Sequence, residues 1–92
     1  MHQLTLRING QVQGVGFRWA IRDEATRLGL VGSVKNNYDG TVSVVAQGDE
    51  SELKKLREFC RSGYRWASVT EIQETWGGIT KKGFVDFSIR YL

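Results

Sequence analysis

The stretch from Gly10 to Ala20, GQVQGVGFRWA, places three glycines within seven positions and an arginine two residues after the last of them. Glycine lets a backbone approach a ligand with no Cβ in the way. Successive N–H groups in such a turn can converge on one anion. Where the turn leads into a helix, the dipole adds roughly half a positive charge at that end. Arg18 then falls in the first helical turn, where its guanidinium can fork onto phosphate oxygens. A cation there works against the dipole, so its position asks for a reason. On glycine spacing alone, a plain connector followed by a solvated arginine fits equally well.

Two familiar loops are excluded. The spacing is not the dinucleotide fingerprint G-x-G-x-x-G, and no Lys-Ser/Thr pair follows the last glycine as a nucleotide-triphosphate loop needs. Asn36 is a second candidate, although an asparagine beside a turn is usually turn chemistry, and Asn37 could serve that role as well. In NYDGT, Asn37 to Thr41, an aspartyl-phosphate nucleophile would have to stand where Asn37 is, and an amide cannot attack phosphorus. A cysteine phosphatase needs an arginine six positions after its nucleophile; six after Cys60 is Trp66. His2 is the only histidine and Cys60 the only cysteine, which excludes a Cys/His metal site and leaves a Ser-His-Asp triad with only a terminal histidine. KGFVDF, Lys82 to Phe87, partly resembles an RNA-recognition signature but lacks its Gly/Ala-Phe pair.

The elements that must position these residues follow from periodicity. Residues 3–12 alternate, with Leu4, Leu6 and Ile8 at period two, which predicts a half-buried strand. From Phe17 the period becomes helical, with Phe17, Ala20, Ile21, Ala25 and Leu28 in one stripe, an Asp23–Arg27 pair opposite, and Gly29 at the end. Residues 32–48 read as a hairpin, with Asp39-Gly40 supplying the positive-φ positions of its turn. Asp49 or Ser51 caps a second helix whose apolar stripe is Leu53, Leu56, Phe59 and Cys60, ending at Gly63. Trp66 to Trp76 is a third extended arm, and Phe84 to Leu92 closes the chain as a strand with Phe87, Ile89 and Tyr91 on one face. The order β-α-β-β-α-β predicts an α+β, ferredoxin-like sandwich: an antiparallel sheet with two helices on one face.

Composition bounds the rest. A chain of 92 residues, 40% apolar and 25% charged, is one domain spanning 1–92. No apolar run approaches the roughly 20 residues of a membrane span, and the start lacks the apolar core of a signal peptide. The expected location is therefore cytoplasmic and the expected state monomeric. A net charge of +3 favours anionic partners without choosing between nucleic acid and a small anion.

INGQVQGVGFR, Ile8 to Arg18, closely resembles the acylphosphatase signature aliphatic-x-G-x-V-Q-G-V-x-F-R, with every specified position in agreement. Residues 32–48 resemble a second signature of that family, with Gly32, Val34, Lys35, Asn36, Gly40, Val42 and Gly48 in register. LTLRINGQV and FSIRY look like the family's edges, so the resemblance spans essentially the whole chain. Ser33 stands where the family usually has an aromatic residue, and Tyr64 where many members carry proline; neither touches a candidate catalytic residue. The resemblance implies hydrolysis of the carboxyl–phosphate bond of acyl phosphates to a carboxylate and inorganic phosphate. It implies Arg18 and Asn36 as the catalytic pair. The backbone N–H groups of Gln13, Gly14, Val15, Gly16, Phe17 and Arg18 would hold the phosphoryl oxygens. Asn36 would orient the attacking water, and no metal or organic cofactor is implied. Two other readings remain: a non-catalytic acylphosphatase-like module of a larger maturation protein, and an RNA-binding module stacking bases on Phe84 and Phe87, the latter disfavoured.

Overall fold

The computed structural model describes residues 1–91. Five strands and two α-helices follow the order β1 (His2–Gln11), α1 (Phe17–Arg27), β2 (Val31–Asn36), β3 (Val42–Gly48), α2 (Glu50–Glu58), β4 (Ser68–Gly78) and β5 (Phe87–Arg90). A π-helical turn, Phe59–Gly63, extends α2. The sheet order is β4-β1-β3-β2-β5. β3 lies between β1 and β2 and runs antiparallel to both, which makes β1-α1-β2 a split crossover. β4 is antiparallel to β1, while β5 adds to the far edge parallel to β2.

Alternation decides which face is buried. Leu4, Leu6 and Ile8 of β1, Val34 of β2, and Val42, Val44 and Ala46 of β3 all lie on the helix side, sealed from solvent. Phe17, Ile21 and Ala25 of α1, and Leu53 and Leu56 of α2, meet them. Ala20 and Leu28 sit at the margins of the α1 stripe and are only half-buried. Cys60 packs in the same core from the π-helical turn, and burial pushes its thiol pKa up.

Several local expectations are revised. Arg27 pairs with Glu24, through a two-toothed contact that begins at 3.0 Å, and Asp23 pairs with its neighbour Arg22 at 2.9 Å. Glu24 lies one turn before Arg27, where both guanidinium nitrogens can reach its carboxylate. At the β2–β3 turn only Gly40 has positive φ; Asp39 does not. Five residues, 37–41, join the strands, and the turn is closed by Asn37 N–H to Thr41 O at 2.8 Å and Gly40 N–H to Asn37 O at 3.2 Å. The last strand is shorter than its apolar pattern: its pairing with β2 runs only from Gly32↔Phe87 to Lys35↔Arg90. Tyr91 therefore leaves the sheet and is 70% exposed instead of sharing the face of Phe87. Leu92, placed in that strand by periodicity, lies outside the described residues.

Candidate active site

Gly10 drops out of the loop. It belongs to β1, where the pairing with β4 shifts register between Asn9 and Gly10. Its φ is +133°, and a Cβ there would lie 2.1 Å from the Ser68 carbonyl oxygen. The first glycine of the motif therefore serves a β-bulge.

The other two glycines shape the β1–α1 connection. Gly14 and Gly16 are both left-handed, at φ +78° and +79°. Gly16 is the N-cap of α1 and offers no side chain to the helix N–H groups. The first backbone bond of the helix is Ala20 N–H to Gly16 O at 3.1 Å. The N–H groups of Phe17, Arg18 and Trp19 thus have no carbonyl of their own helix to meet. Left-handed glycines before an uncapped helix start turn successive N–H groups toward one side, as in an anion nest. Residues 13–18 are contiguous around this turn.

Arg18 projects from the first turn of α1. Its guanidinium carbon lies 5.3 Å from the Tyr91 ring centroid, a cation–π contact. No carboxylate lies within ion-pair distance of it among the described residues. Tyr91 follows Arg90, which pairs with Lys35, so its position in the chain is level with Asn36 at the end of β2. Arg18 thus contacts the residue that follows β5, the strand beside β2, and Asn36 is the last residue of β2.

Asn36 shares the parity of Val34 and so faces the helix side of β2. Its Oδ1 is buried and has no hydrogen-bond partner among the described residues. A buried acceptor left unpaired costs about 1–3 kcal/mol, so such an atom calls for a partner supplied in function. Asn37 is the turn residue: its amide nitrogen donates to Thr41 Oγ1 at 2.9 Å and Ser43 Oγ at 2.6 Å. The two asparagines, alike as turn residues, have distinct surroundings.

One side chain ties the two halves together. Gln13 Nε2 donates to the carbonyls of Asn37, at 2.8 Å, and Thr41, at 3.0 Å, fastening the glycine loop to the turn beside Asn36. Asp39 is already engaged, since it accepts from the Thr41 hydroxyl and N–H and pairs with Arg7. These contacts, the Thr41 hydroxyl first, hold its carboxyl below the usual range. Among the described residues, no group of three His, Cys, Asp or Glu side chains is placed to hold a metal.

Sequence reasoning passed over three contributors. Gln13 was expected only through its N–H, yet its side chain makes the tie. Tyr91, expected on one strand face with Phe87 and Ile89, instead lies under Arg18. Tyr64 was set aside as a loop departure; its hydroxyl donates to the Val15 carbonyl at 2.5 Å and its ring stacks on Phe17. None of these long-range contacts has a local sequence signal. Of the two phenylalanines put forward for base stacking, Phe87 goes the other way: it is 5% exposed and packs in the core.

The family profile for acylphosphatase matches residues 4–89. The acylphosphatase of Caldanaerobacter subterraneus subsp. tengcongensis is 48% identical over 85 residues, covering 91% of this chain and 92% of that protein. The chain belongs to the acylphosphatase family. As a member it is an enzyme that hydrolyses acyl phosphates. The crystal structure of the acylphosphatase from Bacillus subtilis superimposes with a TM-score of 0.91 at 38% identity, covering 99% of this chain and 100% of that one. Full-length HypF, in a phosphate- and nucleotide-bound form, matches at 28% identity and a TM-score of 0.81. There 98% of this acylphosphatase chain covers only 12% of the larger one.

Proposed function

We propose that this acylphosphatase works by gripping the phosphoryl group in residues 13–18 and aiming a water from Asn36. The observation that carries this reading is the buried, unpartnered Oδ1 of Asn36, at the strand end fastened to the glycine loop by Gln13. An acyl phosphate is a mixed anhydride with a good leaving group, so it needs no strong nucleophile. It needs its charge held and a water set in line. The N–H groups of Gln13, Gly14, Val15, Gly16, Phe17 and Arg18 hold the phosphoryl oxygens, and the Arg18 guanidinium completes the cradle as charge shifts in the transition state. Asn36 accepts a hydrogen bond from the water through Oδ1, which orients a lone pair toward phosphorus. An amide is too weak a base to remove the proton, so the substrate's own phosphate takes it. The carboxylate leaves, and inorganic phosphate is the second product.

The chain acts as a single domain over residues 1–92, as a monomer in the cytoplasm, on a small acyl phosphate and without nucleic acid. Among the described residues, no helix is long and apolar enough to cross a membrane. The match to one eighth of HypF favours a second reading, in which this fold is a module of a larger maturation protein. One assay separates them. The 92-residue chain alone should hydrolyse benzoyl phosphate in steady state without added metal, with inorganic phosphate as a competitive inhibitor. Absence of turnover by the isolated chain would favour the module.

A further inference from the structure

We propose that Tyr64 is a positioning residue that sets the direction of the backbone N–H groups in the phosphate loop. This rests on reading residues 13–18 as the cradle. Three consecutive loop residues converge on this one side chain. Its hydroxyl donates to the Val15 carbonyl oxygen at 2.5 Å. A Cβ added to Gly16 would lie 3.0 Å from the same hydroxyl. Its ring stacks on Phe17, with centroids 5.7 Å apart and planes 18° from parallel. Tyr64 itself is anchored: it follows the π-helical turn, its carbonyl accepts from Ala67 N–H at 3.3 Å, and its side chain packs against the core.

The consequence follows from peptide geometry. The Val15 carbonyl and the Gly16 N–H belong to one planar trans unit and point in opposite directions. Because the carbonyl is drawn to Tyr64, on the core side, the Gly16 N–H is turned away from the core, toward the side where an anion binds. That unit turns about Val15 ψ and Gly16 φ, and Gly16 has no Cβ to resist the change on its side. Without the tyrosine hydroxyl, the unit is free to turn its carbonyl into the cradle, and a phosphoryl oxygen would then face an acceptor. Tyr64 thus pre-organises the loop without touching the substrate.

The test is Tyr64→Phe, which keeps the ring and its stack on Phe17 and removes only the hydroxyl. Wild type, Tyr64→Phe and a control, Ile72→Val on β4, are compared at a temperature where all three are fully folded. Read out are benzoyl phosphate kinetics, inorganic phosphate affinity, and the amide signals of residues 14–18 in a phosphate titration. Tyr64→Phe should raise the phosphate dissociation constant about fivefold and lower kcat/KM by at least as much. The control should lower the melting temperature and leave affinity unchanged. If Tyr64→Phe binds phosphate as wild type does, or if the control weakens binding equally, the positioning role is overturned while the site reading stands. A wild type that neither binds phosphate nor turns over benzoyl phosphate overturns both.

Discussion

Arg18 carries the heaviest assignment in the site. It starts a helix, against the dipole, beside N–H groups that no cap satisfies, and its guanidinium lies over Tyr91. Arg18→Ala should lower kcat by about two to three orders of magnitude, or about 3–4 kcal/mol of transition-state stabilisation, and weaken inhibition by phosphate. Arg18→Lys should fail to recover activity, because a point charge cannot fork across two oxygens. Steady-state kinetics with phosphate inhibition checks both. Asn36 predicts a different pattern. Asn36→Ala should cut kcat while leaving the phosphate inhibition constant nearly unchanged, since its role is toward water. It should also cost little stability, because it removes a buried acceptor that has no partner in the folded protein. Near-wild-type turnover by either alanine variant would sink the pair. Arg18 was legible from its place after the glycines. Asn36 was not separable from Asn37 by residue type and turn position alone; its register in the second motif singled it out, and the fold adds that Asn37 is bonded to Thr41 and Ser43 while Asn36 Oδ1 is unpaired among the described residues.

At the scale of elements, the strand–loop–helix unit divides its glycines between two tasks. Gly10 admits a bulge against β4, and Gly14 and Gly16 shape the anion turn. Alanine substitutions should therefore separate. Gly10→Ala drives a Cβ into the Ser68 carbonyl and should destabilise by about 2 kcal/mol or more, with kcat/KM of the folded fraction unchanged. Gly16→Ala meets the Tyr64 hydroxyl at 3.0 Å in a left-handed conformation and should weaken phosphate binding as well as stability. Thermal melts paired with phosphate titrations read the two effects separately. The helices and first strand were legible because their apolar periods are long and uninterrupted. The boundaries of β4 and β5 were not, since their extent is set by pairing with a neighbour that is remote in sequence.

For the molecule as a whole, the acid limb of stability follows from its surface carboxylates. Asp39 is held below its ordinary value by Thr41 and then Arg7, Glu24 by Arg27, and Glu50 by Lys54. Each binds a proton less readily when folded, so the unfolded chain carries more protons in acid. Their contribution is complete above the ordinary carboxylate values of 3.8 to 4.5 and is lost as pH falls through the lower folded values. The melting temperature should be level toward neutral pH and decline in that acid range. Asp39→Asn should flatten part of the decline while loosening the β2–β3 turn; an unchanged acid limb would show that its contacts contribute nothing. The core itself has no such dependence in acid, being built mainly from apolar side chains of four strands and two helices.

The amino-acid sequence by itself determined the order of elements, the buried face of the sheet, and the membership in one family through two motifs eighteen residues apart at Arg18 and Asn36. Local periodicity and residue-type spacing carry that information, because strands and helices impose periods of two and 3.6 on whatever must be buried. Only the tertiary structure decided that Gly10 serves the sheet, that β5 joins parallel to β2, and that Tyr91 lies under Arg18. It alone showed Gln13 tying the loop to Asn37, 24 residues away, and Tyr64 bracing it from 49 residues after Val15. Such contacts join segments that no local period connects, and they exist only once the sheet has brought those segments together.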